Sequence, residues 1–506
     1  MIGFKAMTRK KKLVLNTMAG LIKQFVTVIC GFILPRYMLL YYGSATNGLV
    51  SSISHFLGFI SLLDMGVGAV IQANLYSPLA KKDNNQLSKI IISSERFFRR
   101  LAMIFLGYII VLIVLFPVII NNKYDTLFTV SLLLIIAFST FAQYFFGMTY
   151  ELLLNADQKS YVQLTMQIIT IVLNTVGAVV LMKCGASIHV VKLMTSIVFL
   201  LRPIGQSIYV RKYYKIDRRI TVIGEPIKQK WNGFSQHLAS VICQNIDVVV
   251  LTTFSSLENV SIYSVYYLIT NGVEQIIMTA ATGLESMFGN MIANGEKQKL
   301  GNVFDIIEWA IHNVVTIIFT ITALTIVPFV SVYTKEIHDI NYILPLFGAL
   351  MVLAYASECL RIPYFRVIKA AGHFRETQNG AYISAALNII ITVTLVFKFG
   401  LIGAAIGTLI AMLFHTCYLA CYLKKNILYR PVAYFIKYLC IDLFIVLLSC
   451  YLCRLFIWQG NSYLEWVIYA IKVSAIVGVS TLAINLLCMR KKITQLASYV
   501  KNNKQM

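Results

Sequence analysis

Several charged side chains lie inside long apolar runs, where a charge is costly unless it binds something or meets a partner. Lys23 follows MAGLI, and Arg202 interrupts SIVFLL. Asp247 and Glu274 are the acids furthest from the ends of their apolar runs. A fixed cation at such a depth can bind an anionic headgroup, and a carboxylate can bind a cation. We predict that Lys23, Arg202, Asp247 and Glu274 line a substrate site.

Helical spacing supports an inward position for Lys23. Asn16, Gly20, Lys23 and Thr27 fall at i, i+4, i+7 and i+11, so they share one helical face. A helix in contact with lipid would not carry such a face, because unpaired polar groups are unfavourable in hydrocarbon. Small polar residues can also hold helices together. An alternative role for Lys23 is a structural ion pair with Asp247 or Glu274.

Asp64 ends the apolar run FISLLD and precedes Gly66 and Gly68. A bend at these glycines would expose backbone groups that water at the inner surface can satisfy. We interpret Asp64, Gly66 and Gly68 as a gate-side element, with direct binding of a coupling ion as the alternative. His312, a lone histidine inside a span, is interpreted as structural.

Composition defines the surroundings of these residues. Of 506 residues, 58% are hydrophobic and 13% are charged, about half the charged fraction of a soluble domain. Repeated apolar runs are long enough to cross a ~30 Å hydrocarbon core as helices. We predict an all-α polytopic membrane protein with about fourteen spans. They are 13–40, 47–72, 101–119, 126–149, 161–182, 187–210, 232–254, 260–285, 303–333, 341–360, 379–397, 401–423, 433–456 and 464–489.

Charge placement predicts the orientation. Of the 44 Lys and Arg residues, 33 fall in the two terminal tails and alternate links, and five in the opposite links or, for Lys192, just inside the adjoining span. The positive-inside rule then places both termini in the cytoplasm, in a multi-pass protein of the cell membrane. The excess of basic residues is then explained by membrane topology and by attraction to anionic membrane lipids. No nucleic-acid partner is expected. The ten cysteines form no disulfide or metal-site pattern, and no catalytic motif is present, so an enzyme is not expected.

The chain carries a weak internal repeat. Residues 155–174 align with 369–388, and 73–90 with 287–304, at a common offset of about 214 residues. Parallel repeats of six helices predict two pseudo-twofold lobes with a substrate site between them. The predicted organisation is a lobe at 1–210, a basic cytoplasmic linker at 211–231, a second lobe at 232–423, and two extra helices with a basic tail at 424–506.

Four segments and one link carry a family resemblance over roughly residues 8–425. The segments are LPRYMLLYYGSATNGLVSSI (34–53), FISLLDMGVGAVIQANLYSPLAKKD (59–83), NIDVVVLTTFSSLENVSIYSVYYLI (245–269) and FGLIGAAIGTLIA (399–411), and the link ends at Asn388. The chain resembles the multidrug/oligosaccharidyl-lipid/polysaccharide exporter superfamily, specifically its polysaccharide-biosynthesis branch of Wzx-type repeat-unit flippases.

The resemblance implies a flippase that moves oligosaccharide repeat units on undecaprenyl diphosphate across the membrane by alternating access. It implies a lipid-linked oligosaccharide and membrane lipids as partners, with a polymerase and glycosyltransferases of the same pathway as further candidates. No cofactor is expected, and coupling to H⁺ or Na⁺ stays open. Two alternatives remain: a multidrug or cation antiporter of the superfamily, which Asp247 and Glu274 favour, and a flippase for a lipid-linked peptidoglycan precursor.

Overall fold

Apolar helices dominate the chain, as its composition predicts. The computed structural model describes residues 9–64, 67–121, 123–220, 234–456, 458–492 and 494, and within them it contains helices and no strand. A π-helical turn, Gln143–Gly147, joins α5 to α6. The α-helices are α1 (Arg9–Gly58), α2 (Ser61–Asp64), α3 (Val67–Lys81), α4 (Asn84–Ile119), α5 (Thr126–Ala142), α6 (Met148–Ala156), α7 (Ser160–Lys183), α8 (Ile188–Tyr213), α9 (Phe234–Phe254), α10 (Leu257–Ala280), α11 (Leu284–Ala293), α12 (Lys297–Tyr333), α13 (Pro345–Leu360), α14 (Ile362–Ala370), α15 (Phe374–Phe399), α16 (Leu401–Asn426), α17 (Ala433–Cys453) and α18 (Tyr463–Cys488).

The lengths and surfaces of these helices suit a lipid environment. Within the described parts of the chain, eleven helices are long and apolar enough to cross a membrane, and Leu238–Phe254 is a shorter apolar helix. Phe25, Val114 and Phe397 leave 68%, 66% and 66% of their surface exposed. Such exposure is unfavourable in water and ordinary against lipid chains. The protein is therefore a multi-pass helical membrane protein, and the count of about fourteen spans stays a prediction.

Helix α1 contains a break that separates the first two predicted spans. At 50 residues it would extend about 75 Å as one straight helix, more than twice the hydrocarbon thickness. Gly43 has φ 74° and ψ 172°, a conformation that is open to glycine and strained for other residues. The predicted spans 13–40 and 47–72 meet at this residue.

The chain forms two compact units, Met1–Val260 and Ser261–Met506. In the first unit, the second half of α1 packs closely on α9 and on the start of α10. A Cβ at Gly48 would lie 1.8 Å from the carbonyl oxygen of Leu257, so only glycine permits this approach. Ser52 Oγ and Thr252 Oγ1 are 2.7 Å apart, and His55 Nδ1 lies 3.0 Å from Asn245 Oδ1. The sequence-based lobe limits at 210 and 232 stay a prediction.

The second unit is held together by small residues and by polar contacts of α12. A Cβ at Gly407 would lie 2.2 Å from Thr392 Oγ1, so this glycine allows α15 and α16 to pack closely. The C-terminal helices α17 and α18 attach to α12 through buried and partly buried hydrogen bonds. Trp309 Nε1 donates to Asn485 Oδ1 at 2.9 Å, and His312 Nδ1 lies 2.5 Å from Asp442 Oδ2.

Candidate functional site

Lys23 and Arg202, predicted from sequence as substrate-binding cations, act on one carboxylate in the first unit. Lys23 lies on α1, Arg202 on α8 and Glu151 on α6. The charges of both Arg202 and Lys23 interact with the Glu151 carboxylate. All three side chains are partly buried. These residues are called the charged triad below, and they form the candidate site.

The helix that carries Glu151 has an irregular turn just before it. The π-helical turn Gln143–Gly147 inserts an extra residue into the helix between α5 and α6. The Gln143 side chain folds forward over this turn, and its Nε2 donates to Glu151 Oε2 at 3.1 Å. A Cβ at position 147 would lie 2.8 Å from Gln143 Oε1, so Gly147 leaves the space that the amide occupies. The turn therefore sets the position of the carboxylate.

The guanidinium of Arg202 is oriented by two neighbours and keeps donors available. Its Nε donates to Thr170 Oγ1 at 2.7 Å, and its central carbon lies 4.1 Å from the centre of the Phe199 ring. Thr170 Oγ1 in turn lies 2.9 Å from the Met166 carbonyl oxygen. Among the residues that the structure describes, none accepts a hydrogen bond from the two terminal nitrogens of Arg202. This fork matches the geometry of a phosphate or carboxylate.

The Lys23 ammonium is similarly available. It makes no hydrogen bond or close ion pair with any described residue. Its interaction with the Glu151 carboxylate is electrostatic, without a direct contact. Two cations on separate helices thus present unoccupied donors beside a single carboxylate. An anion with several oxygens could bind both at once.

A second cluster joins the helices that carry the triad, at the ends that the predicted orientation places on the cytoplasmic side. Lys12 on α1 donates to Asp157 Oδ1 at 3.1 Å, and Tyr214, which follows α8, donates to Asp157 Oδ2 at 2.6 Å. Asp157 itself directly follows α6, and Lys159 lies 2.7 Å from its Oδ2. We call Lys12, Asp157, Lys159 and Tyr214 the inner clamp. It ties α1, α6 and α8 together near the triad.

The electrostatics of the inner clamp favour an ionised Asp157. Burial alone would raise the pKa of Asp157. The hydrogen bonds from Lys159 and Tyr214 and the charges of the nearby ammonium groups lower this pKa by more than burial raises it, so the net shift is downward. Burial and the bond to Asp157 raise the pKa of Tyr214, which therefore stays a donor.

The two predicted acids lie on α9 and α10. Asp247 lies in α9 and is 2% exposed. Glu274 lies on α10 in the second unit, where Asn271 Nδ2 donates to it at 3.4 Å and the charges of Glu358 and Arg361 act on it. The charges of Lys23 and Arg202 both act on Glu151, an acid that the sequence analysis missed.

The predicted gate-side residues are described in part. Helix α2 ends at Asp64 and α3 begins at Val67, and the predicted bend between them lies outside the described residues. Gly68 is buried in α3. Gly66 and the side chain of Asp64 lie outside the described residues. Their role as a gate or coupling element stays a prediction.

No protein-family model matches the sequence, and no curated protein matches it. Solved structures do match its fold. A structure of the lipid II flippase MurJ in an inward closed conformation has a TM-score of 0.67 at 17% identity, covering 94% of this chain and 100% of that chain. An inward-facing multidrug resistance MATE family transporter of the MOP superfamily has a TM-score of 0.53 at 14% identity, covering 82% of this chain and 99% of that chain.

A structure of the Vibrio cholerae MATE transporter VcmN has a TM-score of 0.56 at 14% identity, covering 83% of this chain and 99% of that chain. These likenesses extend over nearly the whole of each solved chain, at identities too low to indicate a substrate. The chain therefore shares its fold with the lipid II flippase MurJ and with MATE transporters.

Proposed function

We propose that this protein is a flippase for oligosaccharide repeat units linked to undecaprenyl diphosphate. It moves them from the inner to the outer leaflet of the cell membrane by alternating access, for the synthesis of a surface polysaccharide. The sugar and diphosphate are polar and cannot cross hydrocarbon alone, whereas the lipid tail can remain in the bilayer. A protein that carries this headgroup needs fixed cations within its helices.

The charged triad is the observation that carries this proposal. Lys23 and the terminal nitrogens of Arg202 offer hydrogen-bond donors that no described residue uses. The two phosphates of the carrier lipid can accept from an ammonium and from a planar guanidinium at the same time. A site for a cationic drug would instead need acids in excess of cations, because the drug itself carries the positive charge.

The first test compares two substitutions of Lys23. Lys23→Arg keeps the charge and should retain part of the transport, whereas Lys23→Gln should lose most of it, about tenfold or more. Surface-polysaccharide output and the amount of protein in the membrane are measured together. Lys472→Gln is the matched control, since Lys472 is an exposed lysine of α18, outside the triad.

Three outcomes are informative. Lost export at normal abundance, with Lys472→Gln unaffected, supports the proposal. Normal export from Lys23→Gln would end the case for a cationic substrate site at this position. Loss of the protein itself from the membrane would favour a structural ion pair, because an unpartnered buried charge costs several kcal/mol, about 3–5.

A second candidate function is export of cations or drugs through the second unit. Glu274 is buried there, and the partly buried Glu358 and Arg361 act on it through their charges, so the acids of this network outnumber its cation. If this network binds the transported substrate, Glu274→Gln should abolish resistance to cationic compounds in a sensitive host while surface polysaccharide is unchanged. If the network instead binds a coupling ion, H⁺ or Na⁺, the same substitution should reduce polysaccharide export.

A further inference from the structure

The charged triad contains one feature that a simple cationic site does not need, the carboxylate of Glu151. If binding a diphosphate were the only requirement, an acid beside both cations would weaken the site. Glu151 is nevertheless held in place by a dedicated contact, the hydrogen bond of 3.1 Å from Gln143 Nε2. Its position must therefore be explained by a step other than binding.

The contacts of Glu151 keep it near the cations without using their donors. Both cations act on the carboxylate through their charge, while the only hydrogen bond that a described residue makes to it comes from the neutral amide of Gln143. Arg202 directs its Nε to Thr170 instead. The carboxylate thus offsets one of two positive charges and leaves the donors of Lys23 and Arg202 available for a ligand.

The balance of charge differs between the loaded and the empty carrier. With a diphosphate bound, two negative phosphates meet two cations and the Glu151 carboxylate opposes binding. With no ligand, the carboxylate reduces the net charge of the site from two to one. Charge that is not neutralised is costly to move through the low-dielectric part of the bilayer. The Glu151 carboxylate therefore weakens binding of the diphosphate and lowers the barrier for the empty carrier to return to its starting conformation.

We propose that Glu151 is an internal counter-anion of the transport cycle, held by Gln143 so that it neutralises the empty site and gives way to an incoming diphosphate. This inference rests on the proposed function, since it takes the anionic headgroup as the ligand. Glu151 sets the compromise between affinity and turnover. Gln143 is a positioning residue, because it holds the carboxylate back from the cations.

The two residues should have opposite effects on binding. Glu151→Gln removes the opposing charge and should tighten the binding of a diphosphate by about tenfold at low salt, equivalent to ~1.4 kcal/mol. Gln143→Leu frees the carboxylate to pair with Lys23 and Arg202 and should weaken binding. The double variant should bind like Glu151→Gln alone, since Gln143 acts only through Glu151. Glu151→Asp should stay close to the wild type.

The test uses the full-length chain in detergent with farnesyl diphosphate as the soluble probe, titrated at low and high salt. Turnover is measured in proteoliposomes as repeated flipping of a fluorescent lipid diphosphate sugar. Glu258→Gln is the matched control, because Glu258 is another partly buried acid of the first unit and pairs with Lys123. It should change neither quantity, whereas Glu151→Gln should slow repeated flipping despite its tighter binding.

The failure of this inference is distinguishable from that of the proposed function. Suppose that Lys23→Gln and Arg202→Gln weaken binding of the probe, but Glu151→Gln leaves binding unchanged or weaker. The counter-anion role of Glu151 would then be wrong, whereas the anion-binding site of the proposed function would be supported. If neither Lys23→Gln nor Arg202→Gln alters binding of the probe, the charged triad is not the substrate site and the proposed function is contradicted. If the double variant of Gln143 and Glu151 does not bind the probe like Glu151→Gln alone, Gln143 does not act only through Glu151, and its positioning role is wrong.

Discussion

At the residue scale, the orientation of Arg202 depends on one hydroxyl group. Thr170 is 1% exposed and accepts from Arg202 Nε at 2.7 Å. Thr170→Val keeps the shape but leaves the guanidinium without this acceptor, at a cost of about 1.5–3 kcal/mol for a bond to a charged group. We expect Thr170→Val to reduce transport severalfold at normal abundance, and Thr170→Ser to restore it.

The control for this prediction lies on the same helix. The hydroxyl of Thr165 donates to the backbone oxygen of Tyr161 at 2.8 Å, and Thr165 is exposed, unlike Thr170. Thr165→Val should leave transport unchanged. Export rates and membrane abundance for the three variants provide the measurement, and equal losses from Thr170→Val and Thr165→Val would contradict a specific role for Thr170.

At the element scale, the inner clamp determines how α1, α6 and α8 meet. Because the folded-state pKa of Asp157 is lowered, its contribution to stability is present above the unfolded pKa, about 3.9, and is lost as pH falls through the folded value. Asp157→Asn should lower the thermal unfolding temperature at neutral pH, a loss of about 1–3 kcal/mol. The difference from the wild type should shrink below about pH 4.

Thermal unfolding in detergent across the acid range measures this effect. Asp217→Asn is the matched control, since Asp217 is exposed and its carboxylate accepts locally, from the Arg219 backbone nitrogen at 2.9 Å. A difference between wild type and Asp157→Asn that persists unchanged at low pH would contradict an ionised Asp157 in the clamp.

The same elements explain what the sequence could reveal. Lys23 and Arg202 were predicted because a charge inside an apolar run is conspicuous in any reading of hydropathy. Glu151 was missed because the predicted span ended at 149, and the acid was assigned to the link. The helix continues through the π-helical turn to Ala156. That turn depends on how the Gln143 side chain packs over Gly147, which the pattern of apolar residues does not encode.

At the scale of the whole molecule, the fold is shared with flippases and drug transporters at identities of 14–17%. The apolar helical pattern is enough to define such a fold, because many sequences can fill the same helix interfaces. The substrate depends on a few polar residues, which vary within one architecture. The proposed substrate therefore rests on the charged triad more than on the overall likeness.

Orientation in the membrane is the last prediction and applies to the chain as a whole. The 33-to-5 division of Lys and Arg between alternate links places Asn294 in the cytoplasm and Asn461 outside. Both residues are exposed, so a cysteine at either would be accessible to a reagent on its own side. In a background lacking the ten native cysteines, Asn461→Cys should react with an impermeant thiol reagent added to intact cells. Asn294→Cys should react only after the membrane is opened, and the reverse pattern would invert the assigned topology and place the inner clamp on the outer face.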